Sequence, residues 1–336
     1  MQGTAEIKSC LKLLVAGAMF AMAFASGARA TDLIDKPPPL PSPVQLRVGA
    51  ANDANAAPLA RVAEVLKSMN VEFTLVQFAR YADERTAIAA GSLDLATMGC
   101  ADLPIALSQG VTSIVALMGV GTTPKYPVVR KDVKVEAWAD LKGKRVAVAP
   151  GSSVWFQFVA MLEEQGVPYN ELKAVNIQGG GSNFDQALQR GDVDAIITWE
   201  PFESTPVNDG YAYFATGLDY SKSKAVGDVA GIFAATRSAV TEKREAVRRF
   251  IWAVLNAQNE LMASKETLAA GVQAYTGVTP AAARSIADHI SLNPTLSLDQ
   301  MKRQAVTFHK LGVIQKDVSG ELDKYYAGDL VRSVMK

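Results

Sequence analysis

Three hundred and thirty-six residues exceed the size at which one hydrophobic core usually stops growing, so two lobes are expected. With 49% hydrophobic and 20% charged residues the chain is globular, and 34 basic side chains balanced by 34 acidic ones leave no electrostatic footprint for nucleic acid. Two cysteines and two histidines supply almost no material for a zinc site, an iron–sulfur cluster or a disulfide framework, so no metal or other cofactor is expected.

Lys8 and Lys12 precede the apolar run Leu13–Ala25, and Ala28-Arg29-Ala30 follows it. A basic segment, a short apolar run and a small-x-small site describe a secretory signal peptide over residues 1–30, cut after Ala30 and directing the chain to the periplasm. Thirteen apolar residues fall short of the roughly 20 that span a bilayer. Cys10 lies before the run, so it is not the lipid-bearing cysteine of a lipoprotein signal. Cleavage leaves 31 basic and 33 acidic side chains and the single thiol of Cys100, which permits no intramolecular disulfide.

Residues 31–43, with Pro37-Pro38-Pro39 and Pro41-Ser42-Pro43, read as an extended tether ahead of a fold that starts near Val44. Val44–Val48 alternates like a strand, Gly49–Asp53 breaks it, and Leu59, Val62, Val65, Leu66 and Met69 recur at helical spacing. Phe73–Phe78 is a second strand, a short helix runs through Ile88, and Leu93–Met98 is a third strand. That alternation predicts a parallel sheet with helical crossovers. The same order resumes near residue 135: strand Arg145–Ala149, helix Val154–Gln165, strand Ala174–Ile177, a glycine run, helix Phe184–Arg190 and strand Ala195–Trp199. Ile88–Asp94 matches Leu188–Asp194 at an offset of 100, which reads as either an internal repeat or a chance helix-to-strand turn; a true repeat makes Cys100 and Glu200 equivalent. A strand at Tyr211–Ala215, a return through Gly231–Thr236 and a set of helices broken at Gly277, Pro280, Asn293-Pro294 and Gly312 complete the chain.

Ligands of parallel α/β sheets bind beyond the carboxyl ends of strands. That rule selects Ala50–Asp53 with Asn52, then Arg80 and Tyr81, Gly99 to Asp102, Pro150 to Trp155, the run Gly179-Gly180-Gly181-Ser182, and Trp199 to Phe202. Ser152 and Ser153 before a helix offer hydroxyls, amides and a dipole to an anion, or serve as plain caps. Gly180 lets backbone approach a ligand, although the run lacks the lysine and spacing of a phosphate loop. Arg80 and Tyr81 supply a cation and a phenol, or sit in solvent. Trp155, Trp199 and Phe202 read as aromatic cleft walls or as core. Glu200, directly after an apolar strand, either receives an amine or is solvated, and Asp102 either faces a ligand or caps a helix. Cys100 reads as a buried, inert thiol, because His289 and His309 share no motif with it; no Gly-x-Ser-x-Gly or His-Glu-x-x-His occurs, and no enzyme is expected.

Several of these residues together resemble a known family. Gly91-x-x-Asp94, Gly99-Cys100-Ala101-Asp102, Leu141-Lys142-Gly143-Lys144-Arg145-Val146-Ala147-Val148, Gly151-Ser152-Ser153 and Trp199-Glu200-Pro201 are similar to the periplasmic binding components of ABC importers for nitrate, sulfonate and taurine. The resemblance implies a hinged, two-lobed periplasmic binding protein of type II kind, α/β, each lobe a mostly parallel sheet flanked by helices. Lobe I would hold residues 44–130 plus 231–336 and lobe II residues 131–230, with crossings near Tyr126–Arg130 and Ala230–Thr236. A small ligand, taurine or an aliphatic sulfonate first, would bind between the lobes, and a monomer would deliver it to an inner-membrane ABC permease. By the same resemblance hydroxyls and amides at Gly99-Cys100-Ala101 and Gly151-Ser152-Ser153 hold the sulfonate. Cys100, Ala101 and Glu200 depart from the common pattern; taurine would pair its amine with Glu200, and a cationic or heteroaromatic ligand stays open. A neighbouring branch resembles receptors and biosynthetic enzymes for the thiamine pyrimidine precursor, and a sensory role for the same fold is a further alternative.

Overall fold

Two runs of apolar strands build two separate sheets in the computed structural model, which describes residues 30–229 and 231–336. The signal-peptide run lies outside the described residues. No helix among the described residues is long and apolar enough to cross a membrane.

The strands are β1 (Val44–Ala51), β2 (Val71–Phe78), β3 (Leu95–Gly99), β4 (Ile114–Gly119), β5 (Val128–Arg130), β6 (Arg145–Val148), β7 (Lys173–Asn176), β8 (Ala195–Ile196), β9 (Ala212–Phe214) and β10 (Gly231–Thr236). The first sheet has the order β2-β1-β3-β10-β4 and the second β7-β6-β8-β5-β9. β1 runs parallel to β2 and β3, and β10 lies antiparallel between β3 and β4. The second sheet repeats this: β6 is parallel to β7 and β8, and β5 is antiparallel between β8 and β9. In both sheets the antiparallel strand is the one that has just arrived from the other lobe. β3 and β4 are buried along their whole length, as strands covered by helices on both faces must be, and their near-continuous apolar sequences suit that burial.

β5 pairs wholly within the second sheet, so the first crossing precedes Val128. The boundary expected after residue 130 moves back accordingly. The offset of 100 is structural. Val48 of β1 pairs with Leu95 of β3, and Val146 of β6 pairs with Ala195 of β8. Asp94 Oδ2 accepts the Arg47 amide at 2.8 Å, and Asp194 Oδ2 accepts the Arg145 amide at 2.8 Å. Each aspartate also pairs with that arginine's side chain, so the Gly-x-x-Asp phrase marks the same strand-bracing device twice.

Residues 31–43 are extended but do not form a tether standing ahead of the fold. Leu33 bridges Met335, Ile34 N donates to Val334 O at 3.0 Å, and Leu40 N donates to Met69 O at 3.0 Å. The helix Arg244–Leu261 buries Val247, Phe250, Ile251, Val254 and Leu255 against the first sheet. From that helix the Arg249 guanidinium donates to Pro38 O at 3.0 and 2.7 Å, and Trp252 Nε1 donates to Ile34 O at 2.9 Å. Carbonyls left unpaired by the proline run are thus satisfied by buried donors, and Leu33, Ile34 and Leu40 cover the first lobe's core.

One hydrophobic cluster spans both lobes. Phe156 and Ala160, on the helix Ser153–Glu164, pack with Met301, Ala305 and Phe308 on the helix Leu298–Lys310. The Phe156 and Phe308 rings lie 4.0 Å apart, both fully buried. The helix that carries Ser153 to the second lobe's edge is therefore braced against the first lobe's last long helix.

Candidate functional site

The strand ends of both sheets converge on one cleft of about 880 Å³, counting the open space at its mouth. Ala51, Asp53, Arg80, Tyr81, Ala82, Arg85, Asp102 and Ile105 line it from the first lobe. Ala149 to Val154 and Trp199 line it from the second, and Lys125 lies in the crossing between them.

Two helices start at this cleft. The helix Ser153–Glu164 is capped by Ser152, whose Oγ accepts the Trp155 amide at 3.3 Å, so the amides of Ser153 and Val154 stay without intrahelical partners. The helix Tyr81–Ala89 starts opposite, and its N-cap Arg80 makes no side-chain cap, leaving the first-turn amides of Tyr81 and Ala82 in the same position. Positive helix ends therefore meet the cleft from both lobes, with Arg80 and Arg85 beside them. Arg80 reaches Asp83 at 3.0 Å and Gln178 of the second lobe at 3.3 Å. Arg85 pairs with Asp102, whose other oxygen accepts the Gly99 amide at 2.8 Å. Burial pushes the Asp102 carboxyl up, and Arg85 draws it back in part.

Asp53 and Lys125 add a buried polar group to the lining. Asp53 caps the 3₁₀ helix Ala54–Arg61 by accepting the Asn55 amide at 2.8 Å, and its Oδ2 accepts the Tyr81 hydroxyl at 2.8 Å. Burial raises Asp53, opposed by Lys125; burial and then Asp53 raise the Tyr81 phenol well above its ordinary range. Lys125 Nζ donates to Glu203 Oε2 at 3.1 Å with both side chains 2% exposed. Burial opposes the Lys125 charge, but the carboxylates of Glu203, Asp53 and Glu200 outweigh it and raise its pKa. Burial pushes Glu203 up to about 8 despite Lys125.

Of the twelve residues expected at the site, Arg80, Tyr81, Asp102, Ser152, Ser153 and Trp199 line the cleft. The other six do not, each for a visible reason. The Glu200 carboxylate is fully buried and outside the cleft lining, accepting Ser204 N at 3.0 Å and Ser204 Oγ at 2.7 Å, with His289 Nε2 at 2.7 Å. It has no oxygen left facing a ligand amine. Trp155 is partly buried, packs its ring 5.0 Å from Phe156 and donates Nε1 to Tyr169 OH at 3.1 Å, so it lies against the core and not in the cleft lining. Cys100 is fully buried, and burial pushes its thiol up to about 12, the inert state expected of it. Ala101 is buried behind it, its amide directed at Ser153 Oγ, 3.4 Å away. Asn52 contributes only its carbonyl, which accepts Trp199 Nε1 at 3.3 Å. Gly180 stands against Ala79 outside the cleft, and the glycine run serves packing, because a Cβ on Gly181 would occupy the Phe202 ring.

This geometry meets a known sequence pattern. The signature of the family described as NMT1/THI5 like matches residues 60–267. The chain belongs to that family. Among its members and neighbours, the chain is 25% identical over 242 residues to a putative aliphatic sulfonates-binding protein of Escherichia coli, covering 68% of this chain and 70% of that one. It is 31% identical over 126 residues to the taurine-binding periplasmic protein of the same organism, covering 37% and 38%. Its fold matches the alkanesulfonate-binding protein SsuA from Xanthomonas axonopodis pv. citri, solved bound to MOPS, with a TM-score of 0.73 at 23% identity over 85% of this chain and 99% of that one. The desulfurization enzyme DSZB, solved in complex with biphenyl-2-sulfinic acid, matches with a TM-score of 0.61 at 18% identity over 86% and 98%. The two-lobed periplasmic binding protein fold expected from the sequence is therefore the fold of this NMT1/THI5-like chain.

Arg85 and Lys125 line the cleft without having been singled out, whereas Asp53 closes the selected segment Ala50–Asp53. Arg85 was legible, since it lies four residues after Tyr81 and hence on the same helical face as the strand-end residues. Lys125 was not. It sits in an irregular crossing where no periodicity points a side chain anywhere.

Proposed function

We propose that this chain is an exported solute-binding protein that captures a small organic anion, an aliphatic sulfonate or taurine first, between its lobes and delivers it to an ABC permease. One observation carries the sign of the ligand: two helix N-termini, Arg80 and Arg85 face the cleft, while Glu200, the carboxylate that would have favoured a cation, is held by Ser204 and His289 outside its lining. Unpaired first-turn amides and guanidinium groups are what a sulfonate's three oxygens need. The E. coli relatives described as binding aliphatic sulfonates and taurine support the same class. The apolar part of the lining, Ala51, Ile105, Pro150, Val154 and Trp199, suits a short alkyl chain.

Binding without turnover is the favoured reading. His289 is engaged with Glu200 and His309 with the Ile314 carbonyl, so neither histidine serves Ser152 or Ser153 as a base. Buried Cys100, its thiol pushed up to about 12, is a poor nucleophile. Periplasmic residence, a monomeric state and docking of the closed form on a permease complete the proposal.

The test is a thermal-shift and calorimetric screen of the mature chain over alkanesulfonates, taurine, nitrate, pyrimidines and aromatic acids, since a tight ligand raises apparent stability by mass action. Sulfonates are expected to give the largest shifts. A pyrimidine or a cation as the tightest ligand would overturn the reading.

A further inference from the structure

Arg80, Arg85, Asp102, Lys125 and Asp53 are the charged side chains that line the cleft among the described residues. All but one are paired: Arg80 with Asp83 at 3.0 Å, Arg85 with Asp102, and Lys125 with Glu203 at 3.1 Å. Asp53 forms no ion pair among the described residues, although it is only 4% exposed. An ionised carboxylate offers about four lone-pair sites, and at Asp53 the Asn55 amide and the Tyr81 hydroxyl take one on each oxygen, both at 2.8 Å. Capping the 3₁₀ helix Ala54–Arg61 accounts for an acceptor here but not for a charge, since a neutral asparagine or serine caps as well. A buried charge without a partner is costly. Burial raises the Asp53 carboxyl, and Lys125, acting through space, only partly opposes it. Lys125 is itself shared with Glu203 and Glu200, so the carboxylates around it outnumber the one ammonium. Tyr81 places this surplus carboxylate relative to an anion, because its backbone amide opens the helix Tyr81–Ala89 while its hydroxyl donates to Asp53. The open amide and the unpaired carboxylate are thus one tyrosine side chain apart.

We infer that Asp53 is a specificity-determining residue that receives a primary ammonium on the ligand and so selects a short aminosulfonate over the plain alkanesulfonate of the same length. The inference rests on the sulfonate reading above and narrows it. The amine goes to Asp53, which lines the cleft and has oxygen sites open, and not to Glu200, whose carboxylate is held by Ser204 and His289. A ligand ammonium supplies there the cation that the lining lacks.

The experiment is calorimetry on the mature wild-type chain with pairs that differ only in methyl against ammonium: propane-1-sulfonate against taurine, and butane-1-sulfonate against 3-aminopropane-1-sulfonate, with 3-sulfopropanoate as a carboxylate-tipped ligand. The ammonium is expected to tighten binding by about ten-fold or more in at least one pair, the effect of a charge-assisted hydrogen bond, and 3-sulfopropanoate is expected to bind weakest. Equal or weaker binding of the amine in both pairs, with the plain sulfonates still bound, overturns the role of Asp53 and leaves the sulfonate reading standing; tightest binding of 3-sulfopropanoate does the same. Failure of all five to bind overturns the sulfonate reading and this inference with it. In D53N, which keeps an oxygen for the Asn55 amide, the preference for the amine should vanish, whereas in E200Q the ratio of the two affinities should keep its wild-type value. A preference kept in D53N, or lost in E200Q, overturns the inference. Should D53N fail to fold, the wild-type pairs and E200Q decide.

Discussion

Gly99 ends β3 beside Ser153 of the second lobe, and Gly99→Ala tests whether the cleft closes as described. A Cβ at this position would stand 3.3 Å from the Tyr81 ring and 2.9 Å from Asp102 Oδ2, both in the same lobe, and closer still to Ser153 Oγ of the opposite lobe. The first contact asks the Tyr81 ring to give by a few tenths of an ångström and the second forces the Asp102 carboxylate to move. The third exists only while the lobes are together. Overpacking of this kind costs about 1–3 kcal/mol, and the share due to Ser153 falls on the closed form alone. Ligand affinity should therefore drop by roughly 5- to 150-fold, while the melting temperature of the ligand-free chain falls only by the smaller cost within the lobe. Calorimetry with an alkanesulfonate gives the first quantity and calorimetric melting the second. Unchanged affinity would mean that Ser153 does not approach Gly99 in the bound state. Equal losses in both would trace the whole effect to Asp102 and remove the argument for closure.

Phe156→Ala should lower unfolding free energy by about 3–5 kcal/mol, because the ring is fully buried with its centroid 4.0 Å from that of Phe308; chemical denaturation checks this, and a loss below about 1 kcal/mol would deny that the ring braces the lobes. Trp155→Ala should lower the melting temperature and leave ligand affinity unchanged, since its ring packs on Phe156 and bonds Tyr169; a weakened affinity would return it to the cleft wall. Glu200→Gln should weaken amine-bearing and amine-free sulfonates alike, as the carboxylate serves Ser204 and His289; a loss confined to the amine-bearing ligand in calorimetry would restore its contact with ligand. Burial pushes the Asp185 carboxyl up to about 8, so between its ordinary value and 8 the folded chain holds a proton that the unfolded chain releases. Stability should fall as pH rises through that window, and Asp185→Asn should flatten the fall in melting temperature between about pH 5 and pH 8; an unaltered slope would contradict the shift.

What was legible in the sequence follows from what a local pattern can encode. β1 and β2 alternate or run apolar over eight residues, enough to separate a strand from a buried helix turn, and Gly91 and Gly191 stop their helices in the left-handed conformation that glycine favours. The rule that ligands meet the carboxyl ends of strands brought Arg80, Tyr81, Ser152, Ser153 and Trp199 to the cleft without any knowledge of the fold's closure. It failed at Glu200 because the chain turns away after Trp199: the Glu200 carbonyl accepts the Ala54 amide across the lobes at 3.0 Å while its side chain caps Ser204, a direction fixed by tertiary packing. The tether failed for a related reason. Prolines do forbid a helix or a ladder, as expected, but the Pro38 carbonyl is taken up by Arg249, a partner more than two hundred residues away that no local pattern points to.

The repeat also explains why one scaffold used twice yields a cleft with unlike ends. β1 and β6 occupy the same place in their sheets, and each is followed by a cap residue and a helix. In the second lobe the cap is Ser152 on a regular twelve-residue helix, whose first amides stay available to an anion. In the first lobe the cap is Asp53 on a 3₁₀ segment containing Pro58, and its carboxylate is tied to Tyr81. An acidic cap there repels an anion, so the first lobe's open helix end comes instead from the segment after β2, at Tyr81 and Ala82, with Arg80 and Arg85 on either side. The two helix ends that meet the cleft are consequently not repeat-equivalents, and the equivalent residues at the offset of 100 have diverged: Cys100 is sealed in the first lobe while Glu200 holds Ser204 and His289. Substitutions at the two caps, not the shared sheet topology, leave first-turn amides open to an anion in the second lobe and a carboxylate tied to Tyr81 in the first.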